Sequence, residues 1–214
     1  MLFIWSSWIV ASRQAVLSAM TIFDLMAIRY SISSLIALPF IIYFKPWKNL
    51  SIFKMIIISS LLGPFYMIFA FGGFFYAPAA HSGVFFNGSL PLLILLISFI
   101  WLKEKISKVQ FLATFLILTG GVFILIDGSQ LNIGKSWYGD IIFLIAAIFF
   151  SIYMVLSRLW KINLPELLFC SSLINCIIFF PIWFIFFPKK IYDASYDELL
   201  MQSFFQGVVP TLVG

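Results

Sequence analysis

The chain of 214 residues is 63% hydrophobic, 20% aromatic and only 10% charged, with a net charge of +5 and a mean hydropathy of +1.12. Soluble domains are about half apolar and about a quarter charged, so too little polar surface exists here to coat a globule in water, and the bilayer is the natural solvent. The positive balance does not imply a nucleic-acid partner, because the basic residues sit in short loops between apolar runs, where charge sets membrane topology.

A crossing helix needs about 20 apolar residues. In chain order, such runs fall at roughly 1–19, 25–44, 54–75, 82–102, 108–126, 138–158 and 165–187, with an eighth beginning near 199. The opening MLFIWSSWIVASR has no basic region before its apolar run and no small-residue cleavage site after it. It therefore reads as a membrane helix already under way. Between Lys54 and Lys103 there is no Asp, Glu, Lys or Arg, and that stretch is too long for one crossing and right for two. YAPAAHSG (76–83) supplies the turn, placing Pro78, His81 and Gly83 near a membrane surface. Cys170 and Cys176, six apart within one apolar run, point in different directions on a 3.6-residue helix and read as packing residues.

Eight crossings put the loops after the second, fourth and sixth spans on one side. Those loops hold Lys45, Lys48, Lys54, Lys103, Lys105, Lys108, Arg158 and Lys161, eight of the thirteen basic residues. The opposite loops hold Lys135, Lys189 and Lys190 together with Asp127, Asp140, Asp193, Asp197 and Glu198. The positive-inside rule places the lysine-rich loops and the N-terminus in the cytoplasm of a multi-pass inner (plasma) membrane protein. Arg13 and Arg29, near the other ends of spans one and two, are the exceptions.

The chain also repeats itself. FDLMAIRYSISSLIALPFIIYFKP (23–46) aligns with PELLFCSSLINCIIFFPIWFIFFP (165–188) at an offset of 142, which brings Asp24 onto Glu166, Pro39 onto Pro181 and Pro46 onto Pro188. With small shifts, Arg13 answers Arg158 and LLGP (61–64) answers GVVP (207–210). Five spans separate the copies, and an odd number inverts the second copy, the architecture of secondary transporters. The expected fold is therefore an all-α, polytopic membrane helix bundle of inverted five-helix repeats. Residues 1–127 form the first repeat and 138–214 the start of a second. That second copy stops at Gly214 within its third helix, so a truncated chain is the expectation.

In hydrocarbon every backbone group must be satisfied, so a proline within a span is tolerated only where protein or water covers the break. Pro91 frees the carbonyl of Asn87 four residues back, and Asn87, Ser89 and Pro91 together mark a polar interruption of the fourth helix. Pro64 and Pro39 do the same for Ser60 and Leu35. Kinks serving only helix packing would carry the same signature. Arg13, Asp24 and Arg29 are charges near or within hydrocarbon, where charge is costly and is usually paired or functional. Snorkelling to the headgroups is the plainer alternative for Arg29. Asn175, in the middle of the seventh span, suits a cavity wall or an interhelical hydrogen bond equally. His81 suits a proton relay by its chemistry, but a solvated turn residue by its position. Walker, GxSxG and HExxH motifs are missing from the sequence, so neither enzyme chemistry nor ATP-driven transport is expected. No cofactor or metal is expected either.

The block YAPAAHSGVFFNGSLPLLILLISFIWLKEKISKVQFLATFLILTGGVFILI (76–126) resembles the drug/metabolite transporter superfamily, and within it the EamA-type transporters. The resemblance rests on an Ala- and Tyr-rich end to the third helix, Pro91 within the fourth, and Glu104 among basic residues at its close. Gln110 near the start of the fifth helix and the Gly120–Gly121 pair at its end add to it. Trp5, Ser6, Ser7 and Arg13 in the first helix and Arg29 in the second are also similar. The resemblance implies ten helices in two inverted repeats and a secondary transporter, a permease or exporter of a small metabolite working by alternating access, driven by a substrate or ion gradient. The candidate substrate-binding residues are Asn87, Ser89, Pro91, Arg29, Arg13 and Asn175. The expected partners are a small-molecule substrate and the lipid bilayer, with a homodimer left open and no nucleic acid. Two other readings stay open: a half-carrier that needs a second subunit, and a polytopic enzyme using the Arg13–Asp24–Arg29 group on a lipid-linked substrate. If Asn87 faces a wet cavity, Asn87→Cys in a chain lacking Cys170 and Cys176 reacts with a water-soluble thiol reagent. Full protection from the reagent would exclude a wet cavity at that position.

Overall fold

The computed structural model describes residues 2–127 and 133–213. Met1, the 128–132 link between the fifth and sixth spans, and Gly214 lie outside the described residues, as do the side chains of Asp127 and Lys135. The described residues are all-helical, and eight helices account for nearly all of them. They are α1 (Leu2–Val16), α2 (Ile22–Phe44), α3 (Ile52–Gly73), α4 (Ala79–Leu102), α5 (Lys108–Asp127), α6 (Ile133–Leu159), α7 (Leu164–Phe186) and α8, spanning 196–213. Five of them, α2, α3, α4, α6 and α7, are long and apolar enough to cross a membrane. Outward-facing Leu35, Phe40, Phe111, Phe115, Ile177 and Ile185 leave a broad apolar surface, which suits contact with lipid and not with water.

The ends of the helices are set by local chemistry. At the start of α2, the Asp24 N–H donates to the Thr21 hydroxyl (3.1 Å) and the Thr21 N–H donates back to the Asp24 carboxylate (2.9 Å), which satisfies two otherwise orphaned donors at a helix N-terminus. At the start of α7, Asn163 and Glu166 make the same reciprocal pair, both bonds 2.9 Å. These caps stand 142 residues apart, and so do both ends of the two 23-residue helices. On the lysine-rich face, Lys45, Lys103 and Lys161 all adopt left-handed conformations with φ of 50°, 52° and 53°. Lys45 and Lys103 each follow directly on the last residue of a helix. Glycine is usual there, but a lysine places its charge against the unsatisfied carbonyls of the helix C-terminus.

Two helix pairs organise the bundle. The first is an aromatic seam between α3 and α6, with ring centroids 5.0 Å apart for Phe74–Phe143, 5.1 Å for Tyr66–Phe150 and 5.4 Å for Phe65–Phe149. Lipid tails are as apolar as these side chains, so close packing supplies the gain in place of the hydrophobic effect. The second is the crossing of α2 with α7. Trp183, near the end of α7, donates its indole N–H to Asp24 at the start of α2 (2.9 Å), and the Lys190 N–H beyond α7 donates to the same carboxylate (3.2 Å). The two helices therefore run in opposite directions.

Close approach at the bundle centre needs glycine in two places. A Cβ on Gly63 of α3 would fall on the side chain of Asn175 of α7, and one on Gly207 of α8 would fall on Ile32 of α2. Asn175 stands 142 residues from Ser33, the neighbour of Ile32, so the two contacts are near-mirrors of one another.

Asp24 is fully buried and accepts four bonds, from the Thr21 N–H and hydroxyl, the Trp183 indole and the Lys190 N–H, whereas among the described residues Glu166 accepts one, from the Asn163 backbone. Asp24→Asn is expected to lower the unfolding free energy in detergent by about 1–3 kcal/mol, the cost of leaving buried donors unpaired. The matching Glu166→Gln change is expected to cost less; equal losses would mean that the Trp183 and Lys190 bonds contribute nothing.

Candidate functional site

Where α2 crosses α7, the bundle encloses a small polar cavity of about 30 Å³, room for a single water. Arg29 and Ser33 reach it from α2, Leu62 from α3, Ser171 and Ser172 from α7, and Pro210 and Thr211 from α8. Ser33 and Asn175 are each the twelfth residue of a 23-residue helix, so the cavity lies close to mid-depth. Each wall other than α2 is wound irregularly at this level. Residues 61–65, 169–174 and 203–208 form π-helical turns, and Gly63 leaves helical geometry altogether with φ −98° and ψ −114°. Pro64 and Pro210 supply a cause in α3 and α8, since each removes one backbone donor, and π turns of this kind recur at functional positions. The Gly207 carbonyl accepts from the hydroxyls of Ser33 (3.3 Å) and Thr211 (2.6 Å).

Arg29 supplies the charge of this cavity. One of its guanidinium nitrogens, Nη1, is buried without a hydrogen-bond partner. The guanidinium carbon lies 5.9 Å from the ring centroid of Trp8, within range for a cation–π contact. Trp8 is held in turn: its indole donates to Gln206 Oε1 (3.0 Å), Gln206 Nε2 donates to Ser12 Oγ (3.0 Å) and Gln202 Oε1 (3.2 Å), and Gln202 Nε2 donates to the Ala11 carbonyl (3.1 Å). Both glutamines are fully buried. This ladder joins α1 to α8 and sets the Trp8 ring against Arg29.

The other residues singled out from the sequence are distributed elsewhere. Asn87 is exposed and lines a separate groove of about 770 Å³, mostly apolar, between α1, α4 and α5, where Trp5, Ser6, Gly120 and Gly121 also lie. Ser89 is buried and returns its hydroxyl to the carbonyls of Phe85 (2.6 Å) and Phe86 (3.1 Å). Pro91 borders a third depression on the far side of α4, shared with Glu104, Gln110 and Arg158. Asn175 is buried, donating to the Ser171 carbonyl (3.2 Å) and packing on Gly63. Arg13 donates to the carbonyls of Phe74 and Ala77 at the end of α3. His81 pairs with Asp140 of α6 at 2.7 Å, and Arg158 pairs with Glu104 (2.7 Å) and donates to Ser98 (2.9 Å). Of the six candidates, only Arg29 lines the midplane cavity, with Asn175 just behind its Ser171 wall. Among the described residues, Arg13, Asp24 and Arg29 make separate contacts and are not gathered into one cluster.

Sequence reasoning missed Trp8, Ser33, Ser171, Ser172, Gln202, Gln206 and Thr211. Signals existed for some. Gln202 and Gln206 sit four apart in an apolar run and so share one helix face, and the 142-residue offset carries Arg29 onto Ser171. Nothing in the sequence marks Trp8 among seven tryptophans.

An all-helical bundle with lipid-suited flanks and a polar cavity at mid-depth defines a multi-pass membrane protein. A family model, that of the EamA-like transporter family, matches residues 1–126, more than half of the chain. The chain belongs to the EamA-like transporter family, whose members carry small molecules across membranes. No curated protein matches the chain, and no solved structure does.

Gln206→Leu removes three of the ladder's bonds. Two of these cross from α8 to α1; at about 0.6 kcal/mol per interhelical bond in a membrane protein, a loss of about 1 kcal/mol in stability is expected, read as a lower thermal midpoint in detergent. A midpoint equal to wild type would show that the ladder does not hold α1 against α8.

Proposed function

We propose that the protein carries a small metabolite across the inner (plasma) membrane by alternating access, with its N-terminus in the cytoplasm and its substrate site at the α2–α7 crossing. The observation that carries this reading is the coincidence, at one depth, of a polar cavity, a guanidinium with an unpartnered nitrogen and three π-wound walls. Irregular backbone at membrane depth is tolerated where it lines a cavity, and midplane sites between oppositely oriented helices are how secondary transporters bind. The cavity holds only a water's volume, so the structure corresponds to a closed state that admits substrate when the walls separate.

The two ends of the bundle are closed by contacts of different strength. Towards the start of α2, the closing contacts are shielded: Asp24 with Trp183 and Lys190, and His81 with Asp140, whose side chains are 9% and 15% exposed. On the lysine-rich end the closing ion pair is Arg158–Glu104, with side chains 53% and 51% exposed. Exposed pairs contribute little, so the lysine-rich end is the one that opens more readily. The positive-inside rule makes that the cytoplasmic end.

The reading is tested by uptake and efflux of a labelled metabolite panel in proteoliposomes. Saturable flux of at least one solute is expected, lost at unchanged protein folding when Ser171→Phe fills the cavity. Flux that survives Ser171→Phe moves the pathway away from the α2–α7 crossing, and no flux for any solute rejects the carrier reading.

A further inference from the structure

The charge of Arg29 has no acidic counter-charge among the described residues. Among the described residues, ion pairs within 4 Å are His81–Asp140 and Arg158–Glu104, and neither includes Arg29. The nearest acid in sequence, Asp24, spends its carboxylate on Thr21, Trp183 and Lys190. Glu166, the acid at the start of α7, is turned back to cap Asn163. The contact that Arg29 does make, with the face of Trp8, attracts a cation through a quadrupole and carries no net charge. An ionised side chain inside a membrane bundle is costly unless it is paired or works on a ligand. Arginine also stays charged when desolvated, where a lysine would shed its proton. The cavity lining thus carries a fixed positive charge with no described acid to balance it.

We propose that Arg29 is the recognition group for a carboxylate, and that the molecule bound at the α2–α7 crossing is a small organic acid carrying a single negative charge. The guanidinium presents a planar fork of donors that matches a carboxylate in two parallel bonds. The hydroxyls of Ser33 and Ser171 line the same cavity and can rotate to donate to the oxygens that the fork leaves free; Ser33 gives up only a long 3.3 Å bond to do so, whereas Thr211 stays on the Gly207 carbonyl. The cavity lining holds one cation and no acid, which sets the charge of the ligand. A dianionic phosphate would carry a net negative charge into hydrocarbon, an amine would add a second positive one, and the ammonium of a zwitterion would find no carboxylate. The π-wound turns of α3, α7 and α8 at this level are where the walls give way to admit a ligand larger than water. Trp8 and its glutamine ladder position the guanidinium and keep it from swinging out to the headgroups.

Only the statement that the bound acid is also transported rests on the carrier reading; binding itself is tested on the purified 214-residue chain in lipid nanodiscs. The probes are butyrate and benzoate, their amides butyramide and benzamide, their amine counterparts butylamine and benzylamine, and phenyl phosphate. Thermal unfolding is followed against probe concentration. The expected result is a rise in melting temperature with a carboxylate and none with its amide, amine or phosphate. Arg29→Gln should weaken carboxylate binding by at least about tenfold, the loss of charge-assisted bonds, and Arg29→Lys should fall between, because a buried lysine is charged only when the bound carboxylate draws a proton to it, and it lacks the fork. A second measurement needs no ligand: Arg29→Gln alone should melt no lower than wild type, because an unpaired charge has been removed from the bundle. The proposal is overturned if amides bind as well as acids, if no carboxylate binds, if Arg29→Gln leaves carboxylate binding intact, or if unliganded Arg29→Gln melts well below wild type. The outcomes also separate this inference from the carrier reading. Carboxylates bound through Arg29 but not moved in proteoliposomes leave the site standing without the carrier. Flux of neutral or cationic solutes that ignores Arg29 leaves the carrier without the carboxylate.

Discussion

The buried carboxylate of Asp24 is the contact on which the arrangement of the bundle turns. It closes the first turn of its own helix through Thr21, takes the indole N–H of Trp183 from α7, and takes the Lys190 N–H from the link to α8. One side chain thereby fixes where α2 begins and which end of α7 lies beside it. In a low-dielectric interior a fully satisfied polar group of this kind rigidifies its surroundings, whereas a half-satisfied one would be worse than none. With that end of the α2–α7 pair held, the two helices cross at mid-depth, and Gly63 and Gly207 let α3 and α8 close against the crossing.

The same economy of polar groups explains why the cavity stands out. Around the bundle, hydroxyls and amides are consumed locally: Ser89 on its own helix, Asn175 on the Ser171 carbonyl, Gln202 and Gln206 between α1 and α8. Arg13, which looks equally exposed to hydrocarbon in sequence, is absorbed by the open carbonyls at the end of α3. Arg29 is the contrasting case. It has the same chemistry but lies deeper in its helix, and it faces a π cloud and an open volume instead of carbonyls.

The helical architecture was legible because hydrocarbon length and helix rise leave few choices. The eight apolar runs correspond to the eight helices, with boundaries shifted by a few residues where caps intervene. Thr21 starts α2 earlier than hydropathy suggests, since a threonine and an aspartate three apart close a helix turn whatever their polarity. The alignment of 23–46 with 165–188 located the two helices that cross, and the pairing of Asp24 with Glu166 marked both of their caps. The site was far less legible. Asn87 and Ser89 are adjacent in the same interrupted stretch, yet one opens onto a groove and the other bonds back to its own helix, because a rotation of two residues along a helix separates groove from core.

Sequence by itself determined the solvent, the number of helices, the lysine-rich face and the approximate internal repeat, since each follows from one-dimensional quantities: run length, charge order and spacing. Only the tertiary structure decided which polar groups satisfy one another. That depends on how helices far apart in the chain are rotated and set against each other, as Trp8 is against Gln206 and Asp24 against Trp183. Nη1 of Arg29 is left without a hydrogen-bond partner while Asp24 and Glu166, the acids at the starts of α2 and α7, are turned to other donors, a fact of three-dimensional packing that no local stretch of sequence records.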